Sequence, residues 1–181
     1  MEVVKFNIEG VLLLKPNVFF DERGYFFESF NQKKFDEIVK ENIQFTQDNQ
    51  SLSQKNTLRG LHFQVPPYAQ GKLVRVVKGR VIDLLVDIRK ESKTYGKTLQ
   101  VELSGSKHEL LWIPKGFAHG FYTVEDDTIF QYKCTDYYHP KSEGSINWGD
   151  SQFDFKNSFI NPILSEKDDQ AKGFDQFISP F

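Results

Sequence analysis

Short runs of alternating or continuous apolar residues, each closed by a turn residue, recur along nearly the whole chain. That spacing predicts a β-rich protein. Val3 to Ile8 and Val11 to Leu14 read as strands broken by Glu9-Gly10 and ended by Pro16. Phe19-Phe20 and Tyr25-Phe26-Phe27 are two aromatic patches about Asp21-Glu22-Arg23-Gly24, a composition ordinary for a turn. Between Asn31 and Lys40 the period changes. Phe35, Ile38 and Val39 share one face with polar residues opposite, which predicts one amphipathic helix. Ile43 to Asn49 is expected to be the next strand and Ser51 to Asn56 a polar turn. Further strands are expected over Lys72 to Lys78, Val81 to Ile88, Thr98 to Leu103, Glu109 to Ile113, Phe117 to Val124 and Ile129 to Thr135. With side chains alternating along a strand, Asp83 and Asp87 share one face of theirs, as do Phe130, Tyr132 and Cys134. The tail from Lys141 to Phe181 is less regular, and Ser165-Glu166-Lys167-Asp168 has the spacing of a capping box. Many short strands with one or two helices at the ends imply a β-sandwich or barrel.

Composition narrows the picture. With 181 residues, 39% hydrophobic and 27% charged, one domain over 1–181 with a full core is expected. A net charge of -2 without a long block of one sign gives no basic footprint for nucleic acid. Cys134 is the only cysteine, which excludes an intramolecular disulfide and a cysteine-rich metal site. A reducing compartment suits that usage. The N-terminal apolar run is too short for a signal-peptide core or a membrane span, so a cytoplasmic protein without a membrane partner is expected. Aromatic residues reach 15%, with 18 Phe. They suit a β-rich core, and some could stack on a ring-bearing ligand.

The densest reactive stretch is Thr57 to Lys78, which places Arg59, His62, Gln64, Lys72 and Arg75 among β-formers, punctuated by Pro66-Pro67 and Gly71. These groups could converge on a small molecule, hold a metal or face water. Of the four histidines, His108 and His139 lie in polar or turn sequence and are expected to be solvated. His62 and His119 lie in or beside apolar strands, where a lone histidine is more often a hydrogen-bonded core residue. Pro114-Lys115-Gly116-Phe117-Ala118-His119 resembles the second motif of the cupin fold, Pro-x-Gly-x-x-His. The first cupin motif offers His-x-His and then Glu; here the place reads His62-Phe63-Gln64, with no Glu before Glu91. A metal at His62 and His119 would lack its other usual ligands, and neither a metal nor another cofactor is expected.

A base without a metal points to proton transfer. Neutral imidazole takes a proton, and a carboxylate partner fixes its tautomer and steadies the imidazolium. An ammonium such as Lys72 could stabilise an enolate oxygen, and a phenol such as Tyr132 could return a proton from the other side. Nucleophilic catalysis has less support: Cys134 has no histidine neighbour in sequence and no Gly-x-Ser-x-Gly elbow occurs.

Leu58-Arg59-Gly60-Leu61-His62-Phe63-Gln64, Ala69-Gln70-Gly71-Lys72, Leu111-Trp112-Ile113-Pro114, Gly116-Phe117-Ala118-His119-Gly120-Phe121, Tyr132-Lys133-Cys134-Thr135-Asp136-Tyr137-Tyr138 and Ser165-Glu166-Lys167-Asp168 together resemble the dTDP-4-dehydrorhamnose 3,5-epimerases. So do Asp21 to Ser29 and Gln47-Asp48-Asn49. The resemblance implies a mainly β, cupin-type jelly roll with a few short peripheral helices, forming a homodimer. It also implies a metal-free enzyme that inverts carbons 3 and 5 of dTDP-4-dehydro-6-deoxy-D-glucose. In that reading His62 is the proton acceptor, Tyr132 the proton donor, Asp168 the partner of His62, and Lys72 faces the sugar carbonyl. Arg23, Arg59 and Lys167 meet the diphosphate or nucleoside side. Glu28, Gln47, Asp48, Asn49, His119 and Glu143 complete the polar lining, and Tyr138 stacks on thymine. Arg23 and Glu28 would act across the dimer, while core packing is expected for Phe26. The nearest rivals are a 3-epimerase acting on a related dTDP-4-keto-6-deoxy sugar and a non-catalytic sugar-nucleotide binding protein.

Overall fold

The computed structural model describes residues 1–155, 157–159 and 161–181. Its strands are β1 (Glu2–Lys5), β2 (Leu12–Lys15), β3 (Val18–Asp21), β4 (Gly24–Phe27), β5 (Gln47–Ser53), β6 (Leu58–Gln64), β7 (Lys72–Lys78), β8 (Arg80–Asp87), β9 (Thr98–Ser104), β10 (Leu110–Ile113), β11 (Phe117–Thr123), β12 (Thr128–Cys134) and β13 (Glu143–Ser145). Two helices, α1 (Gln32–Val39) and α2 (Glu166–Asp169), and two short 3-10 turns accompany them. Six strands form one sheet in the order β1-β2-β10-β7-β12-β5, and five form another in the order β13-β6-β11-β8-β9. The paired strands of both sheets run antiparallel. β3 and β4 make a separate hairpin. No helix among the described residues is long and apolar enough to cross a membrane.

Alternation along the strands decides what each face meets. Inward-facing Val74, Val76, Val81, Leu85, Leu103, Leu111, Phe121 and Phe130 form the buried core cluster that joins the two sheets. The outer face of the five-stranded sheet carries Leu58, Leu61, Phe63, Leu84 and Val86, covered by Ile146, Phe153 and Phe155 from the C-terminal segment. The outer face of the six-stranded sheet carries Leu14, Leu73, Leu110 and Trp112, covered by Phe35 of α1. Phe35 meets Trp112 edge-on at 5.1 Å. Burying a side chain of this size contributes about 1.5–3 kcal/mol, so α1 is held by its apolar stripe. Asn31 starts it by accepting from the Lys34 backbone N–H at 3.1 Å, and Lys40 ends it at φ 60°.

The expected strand Ile43 to Asn49 is displaced: β5 runs from Gln47 to Ser53. The expected polar turn over Ser51 to Asn56 is therefore half strand. β5 is an edge strand whose inward Gln47, Asn49 and Ser51 face polar space, so apolar alternation was absent from its sequence. Another close fit is between β6 and β11, where Gly60 (φ +125°) leaves no room for a side chain. A Cβ there would lie 2.5 Å from Gly120 Cα and 2.8 Å from the His119 carbonyl oxygen.

Candidate active site

The inter-sheet space is apolar at one end and polar at the other, because β5, β6, β7, β11 and β12 change residue type along their inward faces. On β12, Phe130 opposite Val76 belongs to the core, Tyr132 opposite Val74 borders it, and Cys134 opposite Lys72 lies beyond it. On the facing sheet His62 of β6 pairs with His119 of β11. Two adjoining cavities of about 210 Å³ and 330 Å³ occupy the polar end, and both are lined by Asn49, His62, Lys72 and Tyr132.

His62 Nε2 lies 2.5 Å from Asp168 Oδ1. Asp168 is buried in α2, where Ser165 Oγ accepts its backbone N–H at 3.2 Å and its second oxygen accepts from the Gly60 N–H at 3.4 Å. The capping box and the histidine partner are thus one feature: the cap aims the carboxylate. Burial opposes ionisation of Asp168, but the bonds from His62, Ser165 and Gly60 outweigh it and hold the carboxyl below its ordinary range. In a neutral imidazole, donation of Nε2–H to this carboxylate leaves the lone pair on Nδ1.

The other groups are tuned chiefly by burial. Burial raises the Tyr132 phenol above its ordinary value, so it stays protonated; a Cys134 thiolate would raise it further. Burial lowers Lys72, against the pull of Cys134, Asp83 and Glu143. Behind them His119 Nε2 lies 3.0 Å and 3.1 Å from the two oxygens of Asp83. Burial lowers His119 and raises Asp83, which favours one shared proton over two buried charges. Among the described residues no group of three or more His, Cys, Asp or Glu side chains could hold a metal ion. The base, the half-buried ammonium and the phenol around one cavity can abstract a proton, stabilise the resulting oxyanion and return a proton.

A family model described as dTDP-4-dehydrorhamnose 3,5-epimerase matches residues 5–176. The chain belongs to that family. A dTDP-4-dehydrorhamnose 3,5-epimerase from Salmonella typhimurium is 52% identical over 177 residues, covering 97% of each chain. A crystal structure of the enzyme of that name from Elizabethkingia anophelis superposes with a TM-score of 0.91 at 43% identity, over 97% of each chain. The dTDP-6-deoxy-D-glucose-3,5-epimerase from Legionella pneumophila, solved with dTDP-4-keto-L-rhamnose, gives 0.91 at 44% identity, covering 98% of this chain and 94% of that one. The fold of the epimerase family is thus the cupin-type roll described above.

Within this epimerase fold the remaining expected residues divide into two groups. Arg59 borders the larger cavity, with Nε donating to Ser53 Oγ at 3.0 Å. Lys167 pairs with Glu143 at 2.5 Å, and the Tyr138 hydroxyl donates to the same carboxylate at 2.9 Å. Gln47 Nε2 donates to Asn49 Oδ1 at 3.0 Å, and Asn49 Nδ2 lies 3.6 Å from Cys134 Sγ. Asp48 falls on the opposite face of β5 and pairs with Lys133 at 3.0 Å, outside both cavities. Arg23 and Glu28 also lie outside them: Arg23 is paired with Asp21, and Glu28 with Lys34 and Asn31. Phe26 is 71% exposed and packs in no core of this chain. His108 is buried rather than solvated, against the rings of Tyr25 and Phe27 at 4.4 Å and 4.8 Å. Cys134 and Ser51 also line the cavities, and Asp83 sits behind them against His119; the strand face that Cys134 shares with Tyr132 is the sequence signal for Cys134.

Proposed function

We propose that His62, Lys72, Tyr132 and Asp168 carry out the 3,5-epimerisation for which the family is named, on dTDP-4-dehydro-6-deoxy-D-glucose. Nδ1 of His62 takes the proton from a carbon next to the 4-ketone. The electron pair moves into the enolate, whose oxygen faces the Lys72 ammonium. Tyr132 gives its phenolic proton to the opposite face of that carbon. The resulting phenolate and imidazolium return to their starting states by proton exchange with solvent, and the sequence repeats at the second carbon. The product is dTDP-4-dehydro-L-rhamnose.

The observation that carries this reading is the 2.5 Å pair of His62 and buried Asp168 beside a cavity that also presents Lys72 and Tyr132. The half-buried phenol suits the acid role because it stays protonated, and an ammonium partly withdrawn from water is a strong partner for a developing oxyanion. Arg59, Lys167, Gln47, Asn49, His119 and Glu143 complete the binding surface, and Tyr138 offers its ring to the thymine. The diphosphate calls for cationic donors and the base for an aromatic face.

The active form is a homodimer in the same reading. The hairpin of β3 and β4 carries Phe19, Phe20, Tyr25 and Phe26, each more than half exposed. A second copy would cover them and receive Arg23 and Glu28 at its own cavity. The single cysteine is unpaired, in keeping with a cytoplasmic setting. Incubation of the 4-keto sugar nucleotide in heavy water tests the chemistry: deuterium at both carbons is expected. Deuterium at one carbon alone selects a 3-epimerase, and none at either leaves a binding protein.

A further inference from the structure

Gln64 stands where the cupin pattern would offer a second histidine, and the structure gives it other work. Its side chain is 4% exposed, and both ends of its amide are used. Nε2 donates to the Tyr68 carbonyl at 2.7 Å and the Tyr137 carbonyl at 3.2 Å, while Oε1 accepts from the His139 N–H at 2.7 Å. Gln70 Nε2 donates to the Asp136 carbonyl at 2.7 Å, and Gln47 Oε1 accepts from the Tyr138 N–H at 2.8 Å. Four consecutive residues, Asp136 to His139, thus each receive a glutamine amide. The imidazole of His139 is also stacked on Tyr68 at 3.9 Å and 8°. Upstream, Thr135 is tied to Gly71 by two bonds, its N–H donating to the Gly71 carbonyl at 3.0 Å and its Oγ1 accepting from the Gly71 N–H at 2.8 Å.

This segment is not held by an apolar core. Tyr137 and Tyr138 are 65% and 52% exposed, and the segment leaves β12 to run along the smaller cavity. Its conformation is therefore set by side-chain amides reaching from β5, from β6 and from the turn before β7. A buried amide that meets three backbone groups has one workable arrangement, because each lost bond leaves a donor or acceptor unmatched.

We propose that Gln64 and Gln70 are positioning residues for nucleotide recognition, clamping the 136–139 strap so that Tyr138 is presented to the nucleobase while the proton-transfer groups are untouched. The inference rests on the reading of Tyr138 as the thymine platform. It assigns these amides to substrate affinity, and the chemistry on the sugar to His62, Lys72 and Tyr132.

Gln64→Leu, Gln70→Ala and Tyr138→Ala separate these claims when compared with the native enzyme for KM, kcat and the calorimetric Kd of dTDP. Gln64→Leu should raise KM and the dTDP Kd about tenfold, equivalent to about 1.4 kcal/mol, with kcat within about twofold. Gln70→Ala, which loses one bond from a half-buried side chain, should raise both about threefold, and it decides the matter if Gln64→Leu does not fold. Weaker dTDP binding in Tyr138→Ala with unchanged binding in the glutamine variants overturns the clamp alone. A fall in kcat at constant KM in those variants overturns it as well. Unchanged dTDP affinity in Tyr138→Ala overturns the platform reading and the clamp together.

Discussion

Asp168→Asn isolates the role of the buried carboxylate. Asp168 accepts from His62 Nε2 through one oxygen and from the Gly60 N–H through the other. Asparagine offers one oxygen, so its NH2 must face one of those donors. The negative charge that steadies the imidazolium is also lost. A hydrogen bond to a charged group has a net worth of about 1.5–3 kcal/mol. Two unit charges about 4 Å apart at an effective dielectric of about 20 set a ceiling near 4 kcal/mol. Because the imidazolium forms only as the proton moves, the loss falls on kcat, by about 10- to 150-fold for the lower range. KM should stay within about threefold. The assay is the rate at which the H3 and H5 proton resonances of the substrate disappear in heavy water, followed by NMR at several substrate concentrations. A kcat within threefold of the native value, or a loss confined to KM, would refute the reasoning. Thermal melts give a second readout. Since the folded carboxyl lies below its ordinary range, its contribution to stability is present above that range and is lost as the pH falls through the folded value. The melting difference between the native protein and Asp168→Asn should shrink on acidification.

The remaining groups make separable predictions. Burial lowers Lys72 from its ordinary 10.5, so kcat should fall on the alkaline side at a pH below that value as the ammonium is lost. Lys72→Ala should be about 100-fold slower or more and should lack this limb in a pH–rate profile; a limb unchanged in that variant contradicts the assignment. Tyr132→Phe keeps the ring and loses the returnable proton. Deuterium exchange should then outlast inversion, and equal losses of both, measured on the same samples, would count against the acid role. Away from the site, Asp87 is fully buried and accepts from Arg89, Ser92 and Thr94 side chains. Asp87→Ala should cost about 3 kcal/mol in urea unfolding, with kcat unchanged; a loss under 1 kcal/mol would show that the loop holds without it.

Much of the architecture was legible because most strands face a core and therefore alternate. β7, β8, β9, β11 and β12 fell within about a residue of their expected bounds. β5 did not, since its inward side faces the cavity and carries Gln47, Asn49 and Ser51 in place of apolar residues. His108 departs from its expected solvated setting for a related reason: its neighbours in sequence are polar, but its neighbours in space are the rings of Tyr25 and Phe27. Phe26 was expected in a core and is exposed, because hairpin composition does not say whether a sheet packs above it. In the site, His62, Lys72, Tyr132 and Asp168 came from motifs, and the structure places them about one polar space. The Asp83 and His119 pair joins residues 36 apart on neighbouring strands, and no spacing rule in one sequence reports such a contact. The sequence marks Gln64 as one of a polar cluster and as a missing metal ligand; its bonds to the backbone at Tyr68, Tyr137 and His139 depend on how the strap folds back.

The central claim is that His62 moves protons at two carbons beside one ketone. Its most direct test is to incubate dTDP-4-dehydro-6-deoxy-D-glucose in heavy water with the native protein and with His62→Ala. The prediction is deuterium at both carbon 3 and carbon 5 with the native protein and at neither with the variant; undiminished exchange in His62→Ala would contradict it.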